Sequence, residues 1–294
     1  LLQCHAPPPG KLVVARAERG GERAWLFLGL EQLRARAYVN WYSLRFAAIG
    51  EGELVTAIAR ALKFGGVAQV ELSPIERPES LRQSFRTAGW LTFLSPATAS
   101  WQVGTEGLDF DTYWAKRPAR LRNTAERKAK AAGLDIGVHC AFDEAAWADY
   151  ERVYAASWKP EEGSPAFLRA LAEQEGAAGT LRLGIARKDG RAIAAQLWLV
   201  EGGRATIHKL AYAEEAKALS PGTILSMAMF RHVLDEDRVA RIDYGTGDEP
   251  YKKDWMEERT ILWRLTAFNP RTLVGLAGAA RAAASAIVRR GRTD

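Results

Sequence analysis

Lys217-Ala218-Leu219-Ser220-Pro221-Gly222-Thr223 opens the stretch that decides the fold. An apolar run, Ile224 to Leu234, follows it. Then comes Ile242-Asp243-Tyr244-Gly245-Thr246-Gly247-Asp248-Glu249-Pro250-Tyr251-Lys252-Lys253-Asp254-Trp255. The pattern predicts a loop, a helix, a strand and a turn crowded with charged and phenolic groups. Ser220 suits an N-cap and Pro221 the first helical position. Gly222 lacks a Cβ and lets a ligand approach the backbone. Four amides without helical partners at such a start form an anion site, and phosphate is a natural occupant.

A degenerate Lys-x-x-Ser-Pro-Gly before a helix resembles the pyrophosphate loop of the GNAT acyltransferases, usually Gln/Arg-x-x-Gly-x-Gly/Ala. Lys217, Ser220 and Gly222 fill its three positions, with Ser220 in place of the middle glycine. Gly247-Asp248-Glu249-x-Tyr251-Lys252-x-x-Trp255 resembles one GNAT branch more closely. That branch includes acetyltransferase-like proteins of bacterial cellulose and exopolysaccharide clusters and the bacterial ceramide synthases, and it is related to the Fem aminoacyl transferases. The resemblance implies an α/β (α+β) fold of tandem GNAT-like halves, each with a mixed central sheet flanked by helices. It also implies acyl-CoA as co-substrate, held by Lys217, Ser220, Pro221, Gly222 and Thr223.

With 294 residues, about half of them apolar and ten of them Trp, the chain has ample material for a core. The formal net charge of +6 is modest and dispersed. It suits an anionic ligand or lipid surface, and no basic stripe interleaved with aromatics suggests nucleic acid. Cys4 and Cys140 form no CxxC, and with His5 and His139 they make no four-ligand set, so no metal is expected. Cys140 sits in an apolar run and reads as a buried thiol; reduced cysteines fit a cytoplasmic setting. No apolar run is long enough to span a membrane and no signal peptide is visible. The first residue is Leu1 rather than Met, which reads as a fragment or a processed product.

Residues 1–10, with Pro7, Pro8 and Pro9, read as loop. Strands are predicted at Leu12 to Ala17 and Ala24 to Leu30. Arg34 to Phe46, with Tyr38, Val39, Trp41 and Tyr42, reads as a loop entering a strand or short helix. Gly52 to Leu62 has helical spacing, Val67 to Leu72 is a strand, and Pro78 precedes a helix over Glu79 to Ala88. Trp90 to Val103 reads as two short strands. Phe110 to Ala132 is a basic helix broken or kinked at Pro118, and Arg120, Arg122 and Arg127 are candidates for contact with an anionic ligand or a neighbouring domain. The strand Leu134 to His139 leads to a helix capped by Asp143 and another starting at Pro165. Strands Thr180 to Lys188, Arg191 to Val200 and Arg204 to Ala211 are joined by Asp189-Gly190 and Gly202-Gly203, both two-residue hairpin signals. Glu258 to Phe268 is a last strand. Arg271 to Arg290 is a basic amphipathic helix, with Leu273, Leu276, Ala280, Ala284, Ile287 and Val288 on one face, suited to packing or to peripheral membrane contact. The domain division expected is 1–108, 109–269 and 270–294.

Acyl transfer from a thioester to an amine needs the donor's pyrophosphate and arm held, the amine neutral, and the oxyanion and departing thiolate stabilised. In the resembled fold the arm lies between the strand before the loop and the strand after the helix, here Arg204 to Ala211 and Arg241 to Gly245. Asp248 or Glu249 is the candidate base, Tyr251 the donor to the thiolate, and Lys252 the oxyanion or phosphate ligand. His208 is a further base, and alternation lets only one of His208 and Lys209 face the cleft. His232 reads as structural. No Ser-His-Asp or Cys-His setting is apparent, which favours direct transfer without an acyl-enzyme. The leading expectation is a CoA-dependent N-acyltransferase acting on an amino sugar, polysaccharide or long-chain amine of the cell envelope. The others are a Fem-like aminoacyl transferase and a degenerate GNAT module in polysaccharide synthesis.

Overall fold

In a computed structural model, residues 10–40 and 42–290 are described. Cys4, His5, Pro7 to Pro9 and Trp41 lie outside the described residues, as do the side chains of residues 286–290. The chain forms two compact units, one of residues 100–259 and one of residues up to 99 together with 260 onward. Both unit limits, at 99/100 and 259/260, fall inside long strands.

The unit containing residues up to 99 holds β1 (Lys11–Arg19), β2 (Glu22–Glu31), β3 (Arg34–Ala37), α1 (Gly52–Phe64), β4 (Gln69–Ile75), α2 (Glu79–Thr87) and the first part of β5 (Leu91–Gly104). Its sheet runs β1-β2-β3-β4-β11, where β11 is Glu258–Phe268. Only β3 and β4 pair in parallel there. Val55, Ile58 and Ala59 of α1 and Leu81 and Phe85 of α2 cover β2 and β4, which contribute Leu26, Leu28, Val70 and Leu72 to one apolar core. The 90–103 segment is one continuous strand rather than the two expected.

The helix α9 (Leu273–Arg290) completes this unit, but not by the predicted face. Gly275, Gly278 and Ala279 turn inward. A Cβ at Gly278 would stand 2.5 Å from the Phe268 ring, so glycine sets how closely the helix packs. Leu273, Val274 and Leu276 are exposed instead, and Arg271 lies over the Phe64 ring at 4.5 Å. Among the described residues no helix is long and apolar enough to cross a membrane.

The unit of residues 100–259 holds α3 (Phe110–Ala115), α4 (Ala119–Ala132), β6 (Asp135–His139), α5 (Glu144–Ala155), α6 (Pro165–Ala177), β7 (Leu181–Lys188), β8 (Arg191–Glu201), β9 (Arg204–Tyr212), α7 (Pro221–Asp235), β10 (Arg241–Thr246) and α8 (Lys252–Trp255). The strand order is β5-β10-β9-β8-β7-β6, antiparallel except where β10 meets β9. Pro118 breaks the basic helix outright, because its ring cannot sit within a helix interior. Asp143 caps α5 as expected, accepting from Ala146 N at 2.8 Å. The hairpins at Asp189-Gly190 and Gly202-Gly203 form, with three of these four residues glycines at positive φ and Asp189 joining them at φ 49°. Phe230 and Met229 of α7 pack with Trp198 of β8 in one apolar core, and α5 also packs on β8.

Candidate active site

Ser220 joins a 3-10 turn (Glu214–Leu219) to α7. Its backbone is left-handed, φ 56° and ψ 45°, and its hydroxyl makes no capping bond, contrary to the expected N-cap geometry. Its carbonyl accepts from Thr223 N at 3.1 Å and Ile224 N at 3.2 Å. Pro221 has no N–H. Of the first four helical amides, therefore, the Gly222 N–H is the one left to meet an anion, not four. A Cβ on Gly222 would stand 3.0 Å from the Tyr212 ring, so glycine here permits α7 to start hard against β9. Lys217 is exposed beside Glu214, and Lys128 of α4 donates to the Ala218 carbonyl at 2.6 Å.

Gln196, buried on β8, fixes this helix start. Its amide donates to Gly222 O at 3.1 Å and Ser226 Oγ at 2.8 Å, and its carbonyl accepts from Trp198 Nε1 at 2.9 Å. Burial raises the Tyr244 hydroxyl well above its ordinary range, and the neighbouring Ser226 hydroxyl draws it back only in part.

The expected splay is present. β9 and β10 pair from Arg204/Arg241 to Thr206/Asp243 and no further. Gly245, at φ 67°, donates instead to its own strand's Asp243 Oδ1 at 2.9 Å. Asp243 is wholly buried and also accepts from Ser100 Oγ at 2.9 Å. On the other side of β9, Leu197 pairs with Lys209 and Trp198 with Ile207, so His208 is an extra residue in a β-bulge. Bulges bend a strand and re-aim its side chains. Lys209, not His208, is the more buried of the pair; it forms an ion pair with Glu162 at 3.0 Å.

The turn after β10 redistributes the predicted roles. Asp248 is forked by Arg259 at 2.5–3.0 Å and accepts from Trp101 Nε1 at 2.9 Å. These bonds hold its carboxyl down at about 2, so it is a fixed anion and a poor base. Lys252 is 3% exposed. Its ammonium donates to Thr246 O at 2.8 Å and pairs with Glu249 at 2.8 Å, closing its own turn rather than facing an oxyanion. Burial pulls Glu249 upward, but the Lys252 bond and the charges of Lys252 and Lys159 outweigh it, and its carboxyl also titrates low. Tyr251 lies edge-on to Tyr244, centroids 5.6 Å apart. Burial of its hydroxyl and the Glu249 charge push it up to about 12, so it stays a proton donor at neutral pH. Tyr113 Oη and Arg117 Nη1 both donate to the Trp255 carbonyl, at 2.7 and 3.0 Å, and anchor the end of the turn.

Sequence reasoning did not single out Gln196, Ser226, Tyr244 or Arg259. It also gave no sign that Cys140 Sγ lies 3.6 Å from His232 Nε2. Cys140 is exposed rather than buried. Asp237 approaches the same His232 nitrogen at 3.8 Å and is itself forked by Arg182, so no relay through both ring nitrogens is built there. Among the described residues no group of three or more His, Cys, Asp or Glu is gathered as a metal site.

Residues 115–253 match the family model of the acetyltransferase (GNAT) domain. No curated protein matches the chain in sequence. Solved structures share the fold. The C-terminal domain of a putative lysylphosphatidylglycerol synthetase from Agrobacterium fabrum superposes with a TM-score of 0.63 at 16% identity, covering 92% of this chain and 88% of that one. L-PGS from Bacillus licheniformis gives 0.60 at 14%, covering 92% and 89%. FemX gives 0.60 at 10%, covering 87% and 88%. The fold is GNAT-like, mixed α/β with helices flanking the sheet, and the chain carries a GNAT-type acyltransferase domain.

Proposed function

We propose that the chain is an N-acyltransferase that takes its acyl group from CoA and delivers it directly to an amine of a cell-envelope component, an amino sugar or exopolysaccharide or a long-chain amine lipid. The observation that carries this reading is the parting of β9 and β10 beyond Thr206 and Asp243, with Tyr244 and Tyr251 at its mouth. A pantetheine arm fits between the parted strands. Its pyrophosphate would meet the Gly222 amide at the start of α7, with Lys217, Ser220, Pro221 and Thr223 around it. Tyr251 protonates the departing thiolate and then recovers a proton, by way of solvent, from the imidazolium that the amine's proton leaves on His208. His208, on the bulge, takes the amine's proton. Asp248 and Lys252 shape the turn that presents Tyr251. The exposed Leu273, Val274 and Leu276 beside Arg271 give α9 a face suited to peripheral contact at the inner surface of an anionic membrane.

One observation favours a second reading. The single free-standing amide at Gly222 is a sparser cradle than a pyrophosphate usually receives, and the fold is shared with FemX. An aminoacyl-tRNA donor, with the basic α4 beside the loop, is that alternative. Calorimetry with CoA decides between them. Gly222→Glu adds a charge and a side chain against Tyr212, and it should weaken CoA binding at least tenfold. Parental affinity in that variant places the donor elsewhere, and acyl transfer that depends on charged tRNA supports the alternative.

A further inference from the structure

A cavity of about 480 Å³ lies between α5, residues 156–164 and the start of α6. One wall is aromatic. Trp147, Tyr150 and Tyr154 recur on one face of α5, with centroids 4.8 Å apart for the first pair and 6.0 Å for the second. Pro165 and Leu168 extend the apolar lining. The other end is charged. Glu162 lines it there, and its carboxylate pairs with the ammonium of Lys209 of β9, which stands behind the lining, 5.5 Å over the Tyr154 ring; both groups are about nine-tenths buried.

Lys159 lines the same cavity, and among the described residues no carboxylate forms an ion pair with it. Glu151 and Glu161, on the rim, are solvent-exposed, and Glu151 is engaged by Trp147 Nε1 at 2.9 Å. Burial first, and then the charge of Lys209, bring the Lys159 ammonium down to about 8, with Glu162 and Glu249 acting the other way. A cation drawn out of water beside a second cation lacks a counter-ion, and a ligand anion supplies one.

We propose that this cavity binds an amphipathic anion, with an apolar or aromatic body against the α5 rings and a carboxylate or phosphate on Lys159. The volume suits a small ligand or the head of a larger one. This assignment does not depend on the acyl donor. That the bound anion is also the acceptor rests on the acyl-transfer reading, and Lys159 lies within electrostatic reach of Glu249 and Lys252 at the turn that carries Tyr251.

The test uses the full chain and four probes sharing a phenylalkyl body: 3-phenylpropionate, 2-phenylethyl phosphate, 3-phenylpropanol and 3-phenylpropylamine. Each is titrated by calorimetry, with CoA titrated in parallel. At least one acid should bind at least tenfold more tightly than the alcohol and the amine, and the two acids separate a carboxylate from a phosphate ligand. Lys159→Gln should lose at least tenfold in acid affinity, Lys159→Arg should retain it, and CoA affinity should hold in both. Binding of the acids without binding of CoA keeps this site and removes the CoA reading. Three results overturn the proposal: neither acid binds, the amine or alcohol binds as well as the acids, or Lys159→Gln binds the acids as the parent does.

Discussion

The two compact units are built from similar parts, mixed sheets covered by amphipathic helices, yet they differ in what they bury. Among the described residues, every buried charged side chain lies in the unit of residues 100–259: Arg117, Asp149, Arg182, Lys209, Asp243 and Lys252. In the other unit the buried polar side chains are the neutral Thr56, Ser84 and Asn269. Removing a charge from water costs several kcal/mol before any pairing repays it. A fold that needs only a sheet and three helices has no use for that cost, as the apolar unit demonstrates. Three charges in the other unit hold irregular backbone: Asp243 at the splay, Lys252 in the turn, Lys209 beside the bulge. Three of the six buried charges therefore mark places where this chain departs from regular structure, and the proposed chemistry sits at those departures; Asp149, inside α5, pairs with Arg187 of β7 instead.

The contrast can be broken most forcefully in the apolar unit. Phe85 is fully buried and edge-on to Trp90 at 5.7 Å. Phe85→Ala should cost about 3–5 kcal/mol in urea unfolding. Its folded fraction should keep the parental kcat, and a lost kcat would give the apolar unit a part in the chemistry. Lys252→Met comes next. It strands the Thr246 carbonyl and the Glu249 carboxylate, and should cost about 2 kcal/mol with impaired turnover. Unchanged stability would show that the buried ammonium is not what closes the turn.

Tyr251→Phe sharpens the comparison at the level of rate. It should lower kcat by at least about tenfold, the low side of general acid–base assistance, while stability and CoA affinity stay near parental values. Normal turnover in that variant would remove Tyr251 as the proton donor. The smallest effect is expected at Asp248. A carboxyl lowered to about 2 from 3.8 contributes through its anion, fully above the ordinary value and progressively less as pH falls toward 2. It carries no titration near neutrality. Asp248→Asn should leave the shape of the pH–rate profile unchanged between about pH 6 and 9. A flattened acidic limb would restore Asp248 as the base.

Much of this was legible in the sequence. The loop, α7 and the hairpins follow from Pro221, paired turn residues and apolar periodicity, and the position of the splay follows from the resemblance to the GNAT acyltransferases. The functional assignments were less legible, because they depend on which charges meet. Asp248 reads as an available base until Arg259, eleven residues on, is folded back upon it. Lys252 reads as a reaching cation until the curl of its own turn takes its protons. Glu162 and Lys209 are 47 residues apart, and no local spacing announces their pairing. Alternation lets only one of His208 and Lys209 face the cleft, but the bulge at His208 interrupts that alternation, and a bulge leaves no mark in a period of two. The face of α9 was misread for a related reason: side-chain hydrophobicity points to leucine, whereas close packing on Phe268 selects glycine.

The bulge has a further consequence, for insertions and deletions. Ile207 opposes Trp198 and Lys209 opposes Leu197, so His208 is surplus to the cross-strand pairing. Losing that one codon would leave every pair of the hairpin intact while straightening the strand. The sheet would survive a change that removes both the proposed base and the bend beside the cleft. On the proposed reading, the separation between an active domain and an inert look-alike is one residue wide.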